Sequence, residues 1–208
     1  MQRLAIVLIG IVLLVLVGVS IPGCAYNRLV RLSQGVDQQW AQVQNVYQRR
    51  ADLIPNLVNT VAGAANFEKS TLKEVVDARS RVGSVQMPAS APTDPAKLAE
   101  FEKAQGQLSS ALSRLLVVVE RYPDLKSNSN FLNLQAQLEG TENRISVERG
   151  RFNDAVGSYN TSVKSFPTTL FAGAMGFKEK PYFAAAPEAQ GTPKVQFNFD
   201  GASTAPAK

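Results

Sequence analysis

The stretch VDQQWAQVQNVYQRRADLIPNLVNTVAGAA, residues 36–65, constrains the fold more than any other part of the chain. Val36, Trp40, Val43, Tyr47, Ala51, Ile54, Val58, Val61 and Ala65 recur at steps of three and four. That spacing aligns them on one stripe of an α-helix. Such a helix reaches about 45 Å. Its stripe is unsatisfied in water, so the chain must supply partner helices. Pro55 lies inside the pattern. It lacks the N–H that would bond the Ala51 carbonyl, and its ring pushes on that carbonyl. The stripe stays in phase across Pro55, which predicts one long kinked helix rather than two short ones. The freed carbonyl needs a donor, and Arg49, Arg50, Asn56 and Asn59 are the candidates nearest in sequence.

Three further segments carry apolar stripes. Asn66 reads as the cap of a helix over Phe67 to about Val85, with Leu72, Val75, Val76 and Val82 on its apolar face. QMPASAPT, residues 86–93, is a loop by composition. Asp94-Pro95 opens the next helix, a capping carboxylate followed by proline in the first turn. Leu98, Phe101, Leu108, Leu112, Leu115 and Val119 form its stripe, and Pro123 is expected to stop it near Tyr122. SNSN, residues 127–130, caps a last long helix from about Phe131 to Ser165, striped by Phe131, Leu134, Leu138, Ile145, Phe152, Val156, Tyr159 and Val163. A strict heptad would add Thr141 and Glu148 to that seam. Short connections favour antiparallel neighbours. The expected fold is therefore all-α: an antiparallel up-down four-helix bundle with long first and last helices over residues 27–166.

The bundle is preceded by a different kind of segment. Leu4 to Ile21 holds eighteen residues without a charge, and Pro22-Gly23 is expected to end it. Eighteen helical residues reach about 27 Å, close to a hydrocarbon core of about 30 Å. A cleaved signal peptide usually has a shorter apolar core, which favours an uncleaved membrane anchor over residues 1–26. Ile21-Pro22-Gly23-Cys24 also resembles a degenerate lipobox, so Cys24 is a candidate lipidation site and the lipoprotein reading stays open. Either way the bundle lies on the extracytoplasmic side. Beyond Pro167 the chain is rich in Pro, Gly and Ala. Residues 167–208 read as an irregular arm with a tail disordered past Asp200. Phe171, Phe177, Tyr182 and Phe183 stud the arm as candidate membrane contacts or as rings packed on the bundle. Val195, Phe197 and Phe199 alternate like a strand without a partner.

The run YQRRADLIPNLVNTV, continuing into AANFEKSTLKEVVDARS, resembles the LemA family of bacterial membrane proteins. So does ERYPDLKSNSNFLNLQAQLEGTENRISVERGRFNDAVGSYNTSVKSFPTTLFAGAMGFKEKPYFAA. The resemblance covers residues 26–185. It implies a membrane-anchored helical bundle at the bacterial cell membrane and no established enzymatic activity. It also marks Arg49, Arg50, Asp52, Pro55 and Asn56 as a family motif, structural or partner-binding.

The chemistry expected of the chain is sparse. The 208 residues include no histidine and one cysteine, which removes His-based triads, an internal disulfide and a zinc cage. The net charge of +5 suits an anionic membrane surface. No basic run or nucleic-acid motif is present, so nucleic acid is not an expected partner. Ser70-Thr71-Leu72-Lys73 matches S-x-x-K, but the companion S-D-N and K-T-G motifs are absent. Asp52, Glu142, Glu148 and Asp154 lack the spacing of a paired-carboxylate or metal site. Asn160-Thr161-Ser162 fits a glycosylation acceptor but falls in mid-helix. Arg50 borders the stripe and is expected to reach an acidic group on the last helix, such as Glu148. The expected protein is not an enzyme and takes no cofactor. It is a membrane-held scaffold that binds an envelope protein or itself; alternatively, it binds a lipid surface.

Overall fold

A computed structural model describes the backbone of residues 2–64, 67–85 and 89–184, and side chains in the first helix at residues 9, 10 and from 23 onward. Its helices are α1 (Gln2–Ala62), α2 (Lys69–Ser84), α3 (Pro95–Val119), α4 (Pro123–Lys126), α5 (Ser129–Lys164) and α6 (Thr169–Ala172). The all-α expectation is borne out: no strand occurs among the described residues. Asn66, Val195, Phe197, Phe199 and the tail past Asp200 lie outside the described residues.

α1 departs from expectation at its start. The sequence places a helix break at Pro22-Gly23 and a new helix near Asn27, yet α1 runs without interruption from Gln2 to Ala62. A proline removes one ladder hydrogen bond and does not by itself end a helix whose flanking turns hold. Among the described residues no helix is long and apolar enough to cross a membrane. The run from Leu4 to Ile21 lies within α1, but its side chains, apart from Ile9 and Gly10, are outside the described set.

The stripes pack as antiparallel pairs. Trp40 meets Phe152 and Arg50 meets Glu142, so α1 and α5 run in opposite directions. Arg114 pairs with Glu74 and Arg81 with Gln107, so α2 and α3 do the same. One apolar cluster joins Leu29, Val36, Trp40, Val43 and Tyr47 to Phe101, Ile145, Phe152, Val156 and Tyr159. A second joins Ile54, Leu57 and Val61 to Val75, Leu108, Leu115, Phe131 and Leu138. The α3 stripe is buried throughout. On α2 the buried face is Thr71, Val75 and Ala78, with Leu72 and Val82 at its edge, whereas Val76 is half exposed at 49%. Val76 is adjacent to Val75, about 100° round the helix, and so turns off the buried face.

The caps explain the boundaries. Asp94 Oδ1 accepts the Ala96 amide at 2.9 Å, and Pro95 takes the first helical position. Asn128 Oδ1 accepts the amides of Asn130 and Phe131 at 2.9 and 3.2 Å. Pro123 does not terminate α3, which ends at Val119; it opens the one-turn α4 instead. At α2 the N-cap is Glu68, which makes no capping bond and pairs with Arg121 at 2.9 Å.

At Pro55 the backbone stays helical. The Ala51 carbonyl finds its donor outside the local candidates: Arg79 of α2 donates its Nε–H to it at 3.1 Å. The proline thus converts an internal ladder bond into a bond between helices. Arg79→Ala should cost about 0.5–1 kcal/mol in urea unfolding, because the bond is exposed. In a Pro55→Ala background the Ala51 carbonyl recovers an intrahelical amide, and the Arg79→Ala cost should shrink toward zero. Equal costs in both backgrounds would show that Arg79 acts elsewhere.

Candidate functional site

The motif expected on α1 splits between core and solvent. Arg50 is 2% exposed. Its Nη1 donates to Glu142 Oε2 at 2.8 Å and to Ser109 Oγ at 3.0 Å, and its Nη2 donates to the Gln105 side-chain carbonyl. The acidic partner is therefore Glu142, not Glu148. Glu148 lies further along α5, where Arg151 donates to it at 2.8 Å. Arg50 also lies 5.2 Å from the Tyr47 ring centre. Burial raises the Tyr47 hydroxyl above its ordinary value, against the opposing pull of Arg149 and Arg50. Arg49, Asp52, Pro55 and Asn56 are exposed. Asp52 accepts from Gln48 at 2.8 Å, and the Asn56 carbonyl accepts from Thr60 at 2.8 Å. The structure does not gather these residues into one site.

Beside Arg50 a cavity of about 260 Å³ opens between α3 and α5. Leu57, Leu112, Leu116 and Leu138 line it, with Ser109, Ser113, Gln135, Glu139 and Glu142 among its polar walls. Val117 and Leu132, on the two flanking helices, are 70% and 49% exposed. This is an apolar recess with a polar rim.

The arm is ordered against the bundle from Phe177 to Ala184. Phe183 is buried, stacked on Trp40 with ring centres 6.1 Å apart and set edge-on to Phe152 at 5.2 Å. Phe177 meets Tyr26 edge-on at 5.6 Å. Of the two readings open for these rings, membrane contact or packing on the helices, Phe183 takes the second, and Phe177 is half-buried against the same cluster. Phe171 is half-buried and Tyr182 is exposed. The clamp that holds this strap was not foreseen. Asn153 donates to the Phe183 carbonyl at 3.1 Å and accepts its amide at 2.9 Å. Asn160 does the same to Lys180, at 2.9 Å both ways. The two asparagines stand seven residues apart on α5, so they share a face. Tyr159 donates to the Lys178 carbonyl at 2.9 Å, and burial followed by the Asp37 charge raises its hydroxyl. Lys180 is buried and reaches Asp37 on α1 at 3.1 Å. Asn160, expected only as a poor glycosylation acceptor, is 4% exposed.

The remaining sequence candidates stay apart. Lys73 of the S-x-x-K match pairs with Asp77. Among the described residues no group of three or more His, Cys, Asp or Glu is placed to hold a metal. Cys24 is free and exposed on α1. Thr141 is buried and bonds the Gln137 carbonyl at 2.7 Å, while Glu148 is half-buried. Glu102 on α3 accepts from Arg149 at 2.7 Å and from the Ala184 amide at 3.2 Å. Burial pushes its carboxyl up, and these two donors oppose the push.

Comparison with known sequences places residues 39–197 within the LemA family. Magnetosome protein MamQ 2 of Paramagnetospirillum magneticum (strain AMB-1) is 28% identical over 181 residues, covering 78% of this chain and 65% of the relative. Magnetosome protein MamQ of Magnetospirillum gryphiswaldense is 28% identical over 180 residues, with the same coverage. The chain thus spans just under two thirds of these relatives' length. Protein LemA of Metamycoplasma hominis is 23% identical over 160 residues, covering 77% of this chain and 69% of the relative.

Two outcomes test the site. Arg50→Lys should cost about 2 kcal/mol, because a single ammonium cannot fork between Glu142, Ser109 and Gln105. Glu142→Gln should cost less than Arg50→Lys, since this carboxylate is 56% exposed and glutamine keeps an acceptor for the guanidinium. The reverse order in thermal unfolding would show that the ion pair, not the tie to α3, carries the stabilisation. For Glu102 the sign follows from its raised folded-state value. The folded state holds the proton more tightly, so this group's contribution falls as pH rises above the ordinary 4.5 through its raised value and returns on acidification. Glu102→Gln should flatten that slope in urea titrations; an unchanged slope would remove Glu102 from the pH dependence.

Proposed function

This chain belongs to the LemA family, and from that premise we propose that it is a non-catalytic scaffold of the bacterial envelope. It is a four-helix bundle held at the membrane by its N-terminal run, with the bundle on the extracytoplasmic side, and it binds another envelope protein or a second copy of itself. The observation that carries this reading is the continuity of α1. One helix joins the uncharged run from Leu4 to Ile21 directly to the stripe around which α3 and α5 pack. Tethering raises the effective concentration of partners near the surface. The recess between α3 and α5, with Val117 and Leu132 exposed on the same two helices, supplies a contact face. The absence of histidine and the engagement of Glu102, Glu142 and Glu148 by arginines support a role without catalysis. The relatives named magnetosome proteins are named for a cellular structure, not for a reaction.

Full-length protein should stay in the membrane pellet through an alkaline carbonate wash, and a fragment starting at Asn27 should be soluble and helical by circular dichroism. Release of the full chain by carbonate would remove the anchor. Intact mass retaining Met1 or Gln2 supports the uncleaved span; incorporation of a palmitate analogue that Cys24→Ser abolishes supports the lipoprotein form. For the scaffold role, a photo-crosslinking residue at Leu132 should give a discrete adduct in intact cells, and the adduct should weaken in Leu116→Glu. Uncrosslinked protein from Leu132 and Val117 alike would overturn the recess as the contact face.

A further inference from the structure

The corner joining α5 to α6 exposes large apolar side chains. Phe166 is 80% exposed and Leu170 is 65% exposed, although Ala172 in the same turn is buried. Tyr26, 47% exposed, stands nearby through its ring contact with Phe177. The position of this corner is fixed by packing. Val163 and Ala172 belong to the same cluster as Leu29, with Leu32 and Phe177 packed against it. The corner therefore sits at the end of the bundle from which α1 continues toward its uncharged run.

The distances fit an interface. From Ile21 to Tyr26 the helix rises about 7.5 Å, and from Ile21 to Leu29 about 12 Å. A bilayer has a polar region of about 5–8 Å on each side of its hydrocarbon core. The charge of this end agrees with anionic headgroups. Arg28, Arg31, Lys164 and Lys178 are exposed there, against Glu179, which pairs with Lys164 at 2.8 Å. Exposed aromatic and large aliphatic residues rimmed by cations are favoured at a membrane surface.

We propose that the Phe166–Leu170 corner is a second, shallow attachment to the lipid leaflet from which α1 emerges. Phe166 and Leu170 enter the headgroup–acyl boundary, and Tyr26 and the surrounding cations face the headgroups. This rests on the reading of the N-terminal run as a membrane anchor. It differs from an aromatic-arm contact in its residues, because Phe177 and Phe183 are packed inward. Two attachments, one deep and one shallow, would hold the rod at a fixed tilt.

The test uses the full chain in vesicles of phosphatidylethanolamine and phosphatidylglycerol whose acyl chains are brominated near the headgroup. Trp40, the one native tryptophan, is 0% exposed and gives the background. Phe166→Trp and Leu170→Trp should each lose about half of their added emission, as expected for rings at the interface. Val117→Trp, exposed on α3 away from this end, should lose none. Co-flotation with the vesicles, but no more quenching at residues 166 and 170 than at 117, would overturn the second attachment and leave the anchor standing. A full chain that fails to float would overturn both.

Discussion

The buried guanidinium of Arg50 is the interaction on which the arrangement of helices depends. It reaches from α1 to two residues of α3 and one of α5 at once. Apolar packing supplies most of the drive to associate, but packing is non-directional. A forked donor with fixed geometry is directional, and it accepts only one axial register between three helices. Arg50 also stands between the two apolar clusters, above Tyr47 and below Ile54 along α1. Sliding α1 by one turn would pull the guanidinium from its acceptors and leave a buried charge without a partner, which is costly. The polar group thus sets the register that the apolar clusters stabilise.

The strap from Phe177 to Ala184 follows a similar logic, with the buried Lys180 near its centre paired to Asp37 of α1. An extended segment lying on a helix has no ladder to join, so its amides and carbonyls need side-chain partners. Asn153 and Asn160 each offer one acceptor and one donor to a single residue of the strap. At the Asn153 clamp, Phe183 fills the space beside Trp40 and Phe152. The strap completes the core cluster at the Leu29 end of the packed helices, a cluster to which α2 contributes no buried residue.

Much of this was legible in the sequence because it rests on period and caps. The stripes of α3 and α5, the Asp94-Pro95 start and the SNSN cap all follow from local rules. Three features escaped for a common reason: they are settled by tertiary contacts. The donor to the Ala51 carbonyl is Arg79, on another helix, and no local rule points to it. The partner of Arg50 is Glu142 because of the depth at which α1 and α5 cross, a quantity the heptad pattern leaves free. The Asn clamps that hold Phe183 inward join α5 to a strap distant in sequence, so the spacing of Asn153 and Asn160 carries no local signal of them, although packing of Phe183 on the helices was one of the two readings its sequence allowed. The helix continues through Pro22-Gly23, where a break is expected, because the loss of one ladder bond does not end a helix whose flanking turns hold.

α1 has no joint between its apolar N-terminal part and the packed helices. A continuous helix carries rotational phase along its length, about 100° for each residue. The face that the recess between α3 and α5 turns toward its surroundings is therefore set by the number of residues between Ile21 and Leu29, in the way a key's bit is set by the length of its shaft. One residue inserted between Ile21 and Cys24 would leave the contact of Tyr26 with Phe177 and the packing beyond it in place and point the recess elsewhere.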